Sequence, residues 1–257
     1  MKIYVLNGKK TIAYLTILAG IVLILAGATI FSPQMLQVFS SSSKQVPIYS
    51  VEVPEKKVAI TFDCAWGADD IGSILSTLKK ENVKATFFLV GEWMKKNPEQ
   101  VKAIARDGHD VASHGDTHQH MTQLSVDKIK EEINAVNVRI EQLTGQKCIL
   151  FRPPYGDYND KVVKTAIEVG QYVVQWDVDS LDWKGLTAEN ICDRVMRKMQ
   201  NGSIILLHND TKYTAAALPM LIKGLKKKGY SPVSVSQLII RDNYYIDNEG
   251  RQHLMIR

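Results

Sequence analysis

Cysteine is scarce in this chain: three residues in 257, Cys64, Cys148 and Cys192. Their number and wide spacing exclude a disulfide framework and a CxxC metal site, and leave room for one bridge at most. A strong charge of either sign is lacking too. The formal net charge is a modest +5. The one long basic run, Lys226, Lys227 and Lys228, reads as the solvated end of a helix, so no nucleic-acid partner is expected. The hydrophobic share, 45%, is ordinary for a globular core and suits one soluble domain plus an anchor.

The anchor is the uncharged stretch from Thr11 to Ser43, whose apolar heart, Ile12 to Phe31, is long enough to cross a bilayer as a helix. Lys2, Lys9 and Lys10 stand in front of it. They favour a cytoplasmic segment over 1–10, a transmembrane helix or signal anchor over 11–31, and the remainder of the chain outside the cytoplasmic membrane. A cleaved signal peptide is the rival reading, because Ala26-Gly27-Ala28 has the small-x-small pattern of a processing site; the product is then secreted. A linker over 32–52 holds the flexible spacer Ser40 to Ser43, and Val46 to Val53 reads as an edge strand.

From Val58 onward short β-rich runs alternate with helix-period segments. Seven strands are expected, at Val58–Phe62, Ala85–Val90, Asp110–Ser113, Cys148–Phe151, Tyr172–Trp176, Ser203–Leu207 and Pro232–Val235. Helix starts are signalled by Asn97 before Pro98 and by Ser125, Asn159 and Thr187, and a last long helix is expected near Leu218–Lys228, starting at Pro219. Such alternation means parallel strands with right-handed crossovers. The expected fold is α/β, a deformed seven-stranded (β/α) barrel over 53–240, followed by a hairpin-like extension over 241–257.

The barrel is preferred to an open sheet because polar residues recur where strands end. Asp63, His114, Arg152, Asp177 with Asp179, and His208 each follow an expected strand, and in a parallel barrel all those ends open on one face. His114 and His118 lie four residues apart, on one side of a helical turn, and imidazole is the commonest protein ligand of divalent transition metals. His109 and His120 are read as solvent-exposed filler.

Five blocks carry a family resemblance: TFDCAWG from Thr61 to Gly67, SHGDTH from Ser113 to His118, FRPPYG from Phe151 to Gly156, DSLDW from Asp179 to Trp183, and IILLH from Ile204 to His208. In this order they resemble the NodB-homology polysaccharide deacetylases, carbohydrate esterase family 4. DCAWG behind an anchor looks most like the PdaB-type sporulation deacetylases. The resemblance implies metal-assisted removal of acetyl groups from N-acetylated sugars of cell-wall peptidoglycan. By the same resemblance Asp63 is the general base, Arg152 the group orienting it, His208 the general acid and Asp182 its carboxylate partner. His114 and His118 are metal ligands, for zinc first and for cobalt or another divalent ion otherwise. The backbone N–H of Tyr155 helps bind the oxyanion, and Trp183 and Leu207 wall the acetyl and sugar site.

Most members place a second aspartate after the base, as third metal ligand; here the residue is Cys64. A thiolate can bind zinc, and Cys64 can equally be a small buried hydrophobe. The cysteine speaks for a second function, a catalytically silent wall-binding or sporulation scaffold; a third, an O-acetyl esterase on the same barrel, differs only in its leaving group.

Overall fold

The structure, a computed structural model, describes residues 45–255. The expected cytoplasmic segment 1–10, the span 11–31 and the linker up to Lys44 lie outside the described residues. Among the described residues no helix is long and apolar enough to cross a membrane.

After a short strand β1 (Ser50–Val51) comes the longest, β2 (Lys57–Cys64), reading KVAITFDC. Successive side chains of a strand point to opposite faces. Val58, Ile60, Phe62 and Cys64 therefore enter the apolar layer beneath the helices, while Thr61 and Asp63 face the inner side, where Arg152 meets them. The parallel strands that follow are β3 (Thr86–Leu89), β4 (Asp110–Ser113), β5 (Leu150–Phe151), β6 (Tyr172–Val173), β7 (Val178–Asp179), β8 (Ile204–His208) and β9 (Ser231–Val233). With β2 they form one eight-stranded sheet in the order β6-β5-β4-β3-β2-β8-β7, with β9 paired to the first half of β2. The sheet curls, for Arg152, just past β5, hydrogen-bonds Asp63 on β2 although β3 and β4 lie between.

The expected seven-stranded barrel is thus a curled parallel sheet, with β6 and β7 at its two ends. Three details differ from expectation: the strand expected over Pro232–Val235 ends at Val233, and the other two lie beside Arg152 and β8. Tyr172 to Trp176 is a strand only at its start, because the carbonyls of Val174 and Gln175 turn to accept from the Arg152 guanidinium. The extra strand is Val178–Asp179, which pairs with β8.

Helices α1 (Ile71–Lys80), α2 (Gly91–Lys96), α3 (Pro98–Arg106), α4 (Val126–Thr144), α5 (Asp160–Glu168), α6 (Ala188–Lys198) and α7 (Thr214–Lys227) carry the crossovers, and α8 (Val235–Leu238) packs with Ala59, Phe88 and Ala112 on the inner side. Ser125, Asn159 and Thr187 accept from backbone N–H groups as expected of N-caps. Asn97 does not; its amide donates to the carbonyl of Trp93 and closes α2 instead. α7 begins at Thr214, earlier than the expected Pro219, which lies inside the helix. After α8, β10 (Tyr244–Ile246) and β11 (Arg251–Leu254) form the expected antiparallel hairpin, and β1 adds to β11 in parallel, so the edge strand expected over Val46–Val53 completes a three-stranded sheet.

Candidate active site

Asp63 is held by the guanidinium of Arg152, which is itself braced. Arg152 donates to its Oδ1 at 2.6 Å and to the Thr61 hydroxyl at 2.9 Å, and the Thr61 hydroxyl donates to the carbonyl of Ile205 at 2.7 Å. The guanidinium is fully buried, 3.9 Å from the centroid of the Phe88 ring, so the pair cannot relax into solvent. Burial alone pushes the Asp63 carboxyl up; the Arg152 charge, helped by His114 and His208, outweighs it and holds the carboxyl below its ordinary range. Asp63 is ionised at neutral pH.

His114 sits just past β4. Its Nδ1 is 2.8 Å from the backbone carbonyl of Arg152, which can only accept, so Nδ1 carries the hydrogen and Nε2 keeps its lone pair, 3.5 Å from Asp63 Oδ2. The His118 ring lies 5.1 Å from that of His114, centroid to centroid. Burial lowers the proton affinity of both, that of His118 to about 4, so both imidazoles are neutral. The loop between them is clamped by Glu132 of α4. Its carboxylate accepts from Asp116 N at 2.7 Å, Thr117 N at 2.9 Å and the Thr117 hydroxyl at 2.6 Å.

His208 and its partners come from β8 and the turn after β7. His208 Nδ1 is 2.8 Å from Asp182 Oδ1, and the same carboxylate accepts from His208 N at 2.7 Å. Burial lowers the proton affinity of His208, but Asp182 more than restores it, with Asp63 and Asp179 adding, so His208 is raised above its ordinary value. Tyr155 closes a third side in a left-handed backbone conformation (φ 60°, ψ 7°), with its ring between those of His118 and His120. Strain of this kind persists only where surroundings enforce it. Here Pro153 and Pro154 stiffen one flank, and Asp157, accepting from Thr122 N and its hydroxyl, ties down the other.

Asp63, His114, His118, Tyr155, Trp183 and His208 line one cleft of about 450 Å³, with Trp66, Trp176 and Asp179. Trp66, Tyr155 and Trp183 are exposed there. Leu207 lies in the apolar layer beneath the helices, and its neighbour Leu206 lines the cleft. Asp177 binds Ser203 and Ile204 at the start of β8, remote from the strand ends. His109 is buried rather than exposed: its Nδ1 accepts from Ala85 N.

Cys64 is fully buried on the face of β2 opposite Asp63, among Ile60 and Phe62, and burial pushes its thiol well above the ordinary value. A neutral thiol facing an apolar layer does not fit a zinc ligand, which must be a thiolate. The two neutral imidazoles, which line one cleft, do fit a divalent metal. Among the described residues no group of three or more His, Cys, Asp or Glu is placed to hold one.

Thr61, Glu132 and Thr214, which donates to Asp182 at 2.6 Å, escaped the sequence reading. Glu132 had a signal: it falls on the apolar stripe of α4 with Ile129, Ile133 and Val136, where a carboxylate must have partners.

Residues 50–174 match the family model for polysaccharide deacetylase. A peptidoglycan-N-acetylglucosamine deacetylase of Bacillus cereus is 36% identical over 195 residues, covering 73% of this chain and 91% of that protein. The peptidoglycan-N-acetylglucosamine deacetylase PgdA of Listeria monocytogenes is 35% identical over 212 residues, 80% of this chain but only 45% of PgdA, so this chain spans less than half of that relative. Among solved structures, BA3943 of Bacillus anthracis, a CE4 family pseudoenzyme, superposes with TM-score 0.73 at 36% identity, covering 81% of this chain and 72% of that one. A BA3943 mutant with restored enzymatic activity superposes with TM-score 0.73 at 41% identity, covering 75% and 70%. The chain belongs to the polysaccharide deacetylase family, carbohydrate esterase family 4, a family of hydrolases acting on amide bonds.

Proposed function

We propose that this protein removes acetyl groups from N-acetylated sugars of peptidoglycan. One observation carries the reading: an ionised carboxylate, Asp63, and a raised imidazole, His208, line the same cleft beneath exposed aromatic rings suited to a sugar face. An amide resists hydrolysis because its carbonyl is a poor electrophile and its amine a poor leaving group. Asp63 takes a proton from water, whose oxygen bonds to the acetyl carbon. The Tyr155 backbone N–H supports the negative oxygen that results. His208 then gives its proton to the nitrogen as the C–N bond breaks, leaving acetate and a free amine. His114 and His118 would hold a divalent metal, zinc by preference, which when bound polarises the acetyl carbonyl. The relatives named for peptidoglycan deacetylation support the substrate class.

The lysines before the apolar run of 11–31 support a membrane anchor with the catalytic domain outside, and the DCAWG block supports a sporulation setting.

A second reading has its own observation. Cys64 turns away from the cleft, and BA3943 is a pseudoenzyme with this fold; a wall-binding protein without catalysis suits both. The test is acetate release from defined peptidoglycan fragments by the purified chain supplied with zinc, with metal content measured alongside. Release that is abolished in Asp63→Asn supports the deacetylase. Muropeptide binding by zinc-loaded protein with no acetate released replaces it with the silent binder, and release from O-acetylated sugars alone points to an esterase.

A further inference from the structure

Four donors meet the carboxylate of Asp182. Trp183 N, at 2.9 Å, and His208 Nδ1, at 2.8 Å, address Oδ1; His208 N, at 2.7 Å, and the Thr214 hydroxyl, at 2.6 Å, address Oδ2. Three of these come from the acid and its own turn. The fourth comes from the first residue of α7, fully buried and remote in sequence. Thr214 is itself backed, because Thr211 Oγ1 donates to its oxygen at 2.5 Å and accepts from its backbone N–H at 3.2 Å. The hydroxyls thus run in one direction, from Thr211 through Thr214 to Asp182. Thr211 also lines a second cleft, of about 350 Å³, which shares Trp66, Trp183 and His208 with the first. The reaction described above uses neither threonine.

We propose that Thr214, backed by Thr211, is a positioning residue for the acid: its hydroxyl occupies a lone pair of Asp182, fixes the carboxylate, and limits how tightly Asp182 holds the proton on His208. A carboxylate whose oxygens already accept hydrogen bonds is a weaker base, and it draws an imidazolium proton less strongly than a freer one. An acid that binds its proton too firmly gives it up slowly to the leaving nitrogen. The groups facing His208 are Asp182 in the turn after β7, Asp179 on β7, Asp63 on β2, the neutral His114 and His118 across the cleft, and Asp210 and Lys212, which line the second cleft with it. Of these Asp182 alone is hydrogen-bonded by a threonine hydroxyl of the pair. The role deepens the deacetylase reading, on which its catalytic meaning rests.

The experiment follows the His208 ring by NMR titration on the full chain, the resonance assigned by its loss in His208→Gln. In Thr214→Val, of similar size but without the donor, the midpoint is expected to rise by roughly half a pH unit, while Thr214→Ser stays at the wild-type value. In acetate release the alkaline limb of kcat/KM moves up in step, kcat falls several-fold, and KM is little changed. A folded Thr214→Val with an unmoved or lowered midpoint, or a Thr214→Ser that behaves like Thr214→Val, overturns the proposal. Should Thr214→Val not fold, Thr211→Val gives the same readout: a smaller rise supports the relay and no rise rejects it. A shifted midpoint in a chain that releases no acetate leaves the relay standing and rejects the deacetylase reading instead.

Discussion

Asp63 shows how burial and a neighbouring charge compete at a single residue. Desolvation favours the neutral acid, the Arg152 guanidinium 2.6 Å away favours the carboxylate, and the guanidinium prevails. At His208 the same contest ends the other way round in chemical terms, because the neighbour is a carboxylate and the favoured form carries the proton. Asp63→Asn and His208→Gln are each expected to lower acetate release by about 10²–10⁴ with the fold retained, read from kcat and circular dichroism. Activity should fall on the alkaline side only above ~6.5, the ordinary imidazole value, because His208 must stay protonated. Arg152→Met removes one partner of a buried pair and leaves Asp63 uncompensated, so the urea midpoint should report a loss of about 3–5 kcal/mol. Asp63, His114, Arg152 and His208 were legible in the sequence because each ends an apolar β-rich run. Thr61 and Thr214 were not, since a lone threonine beside a run gives no pattern, and their partners lie far off in sequence.

In the strands and helices, alternation and periodicity settle facing. Cys64 and Leu207 each follow, by two residues, an apolar residue in the layer beneath the helices, Phe62 and Ile205, and so face it as well. α4 does two jobs from one stripe, packing Ile129, Ile133 and Val136 and holding the His114–His118 loop through Glu132. Glu132→Ala leaves two backbone N–H groups and a hydroxyl without their acceptor. A loss of roughly 1.5–3 kcal/mol is expected in thermal unfolding, with faster amide exchange at Asp116 and Thr117. Gly202, at φ +79°, admits β1: a Cβ there would stand 1.6 Å from the carbonyl oxygen of Val51. Gly202→Ala should therefore displace β1 and lower the melting temperature; an unchanged value would show that β1 is not held there.

For the molecule as a whole, acid sensitivity has an identifiable source. His109 is buried against Phe87, its Nε2 has no hydrogen-bond partner among the described residues, and burial with the nearby Lys84 charge holds it down to about 4. The unfolded chain has its histidines near ~6.5, so between those values it binds more protons than the folded one. The contribution of His109 to stability is therefore full above that window and is lost as pH falls through it. Urea midpoints at pH 7 and pH 4.5 should differ, and the difference should shrink in His109→Gln.

The order of strands and helices, the parallel sheet and the five blocks of candidate site residues were determined by the sequence itself, because alternation, helix period and capping are local properties. Tertiary structure alone decided which face each strand end presents and which distant groups complete it. Arg152 meets Asp63 across two intervening strands, Glu132 reaches the histidine loop from its helix, and Thr214 closes on Asp182. The curl of the sheet brings these groups together, and that curl depends on packing between segments that no local pattern records.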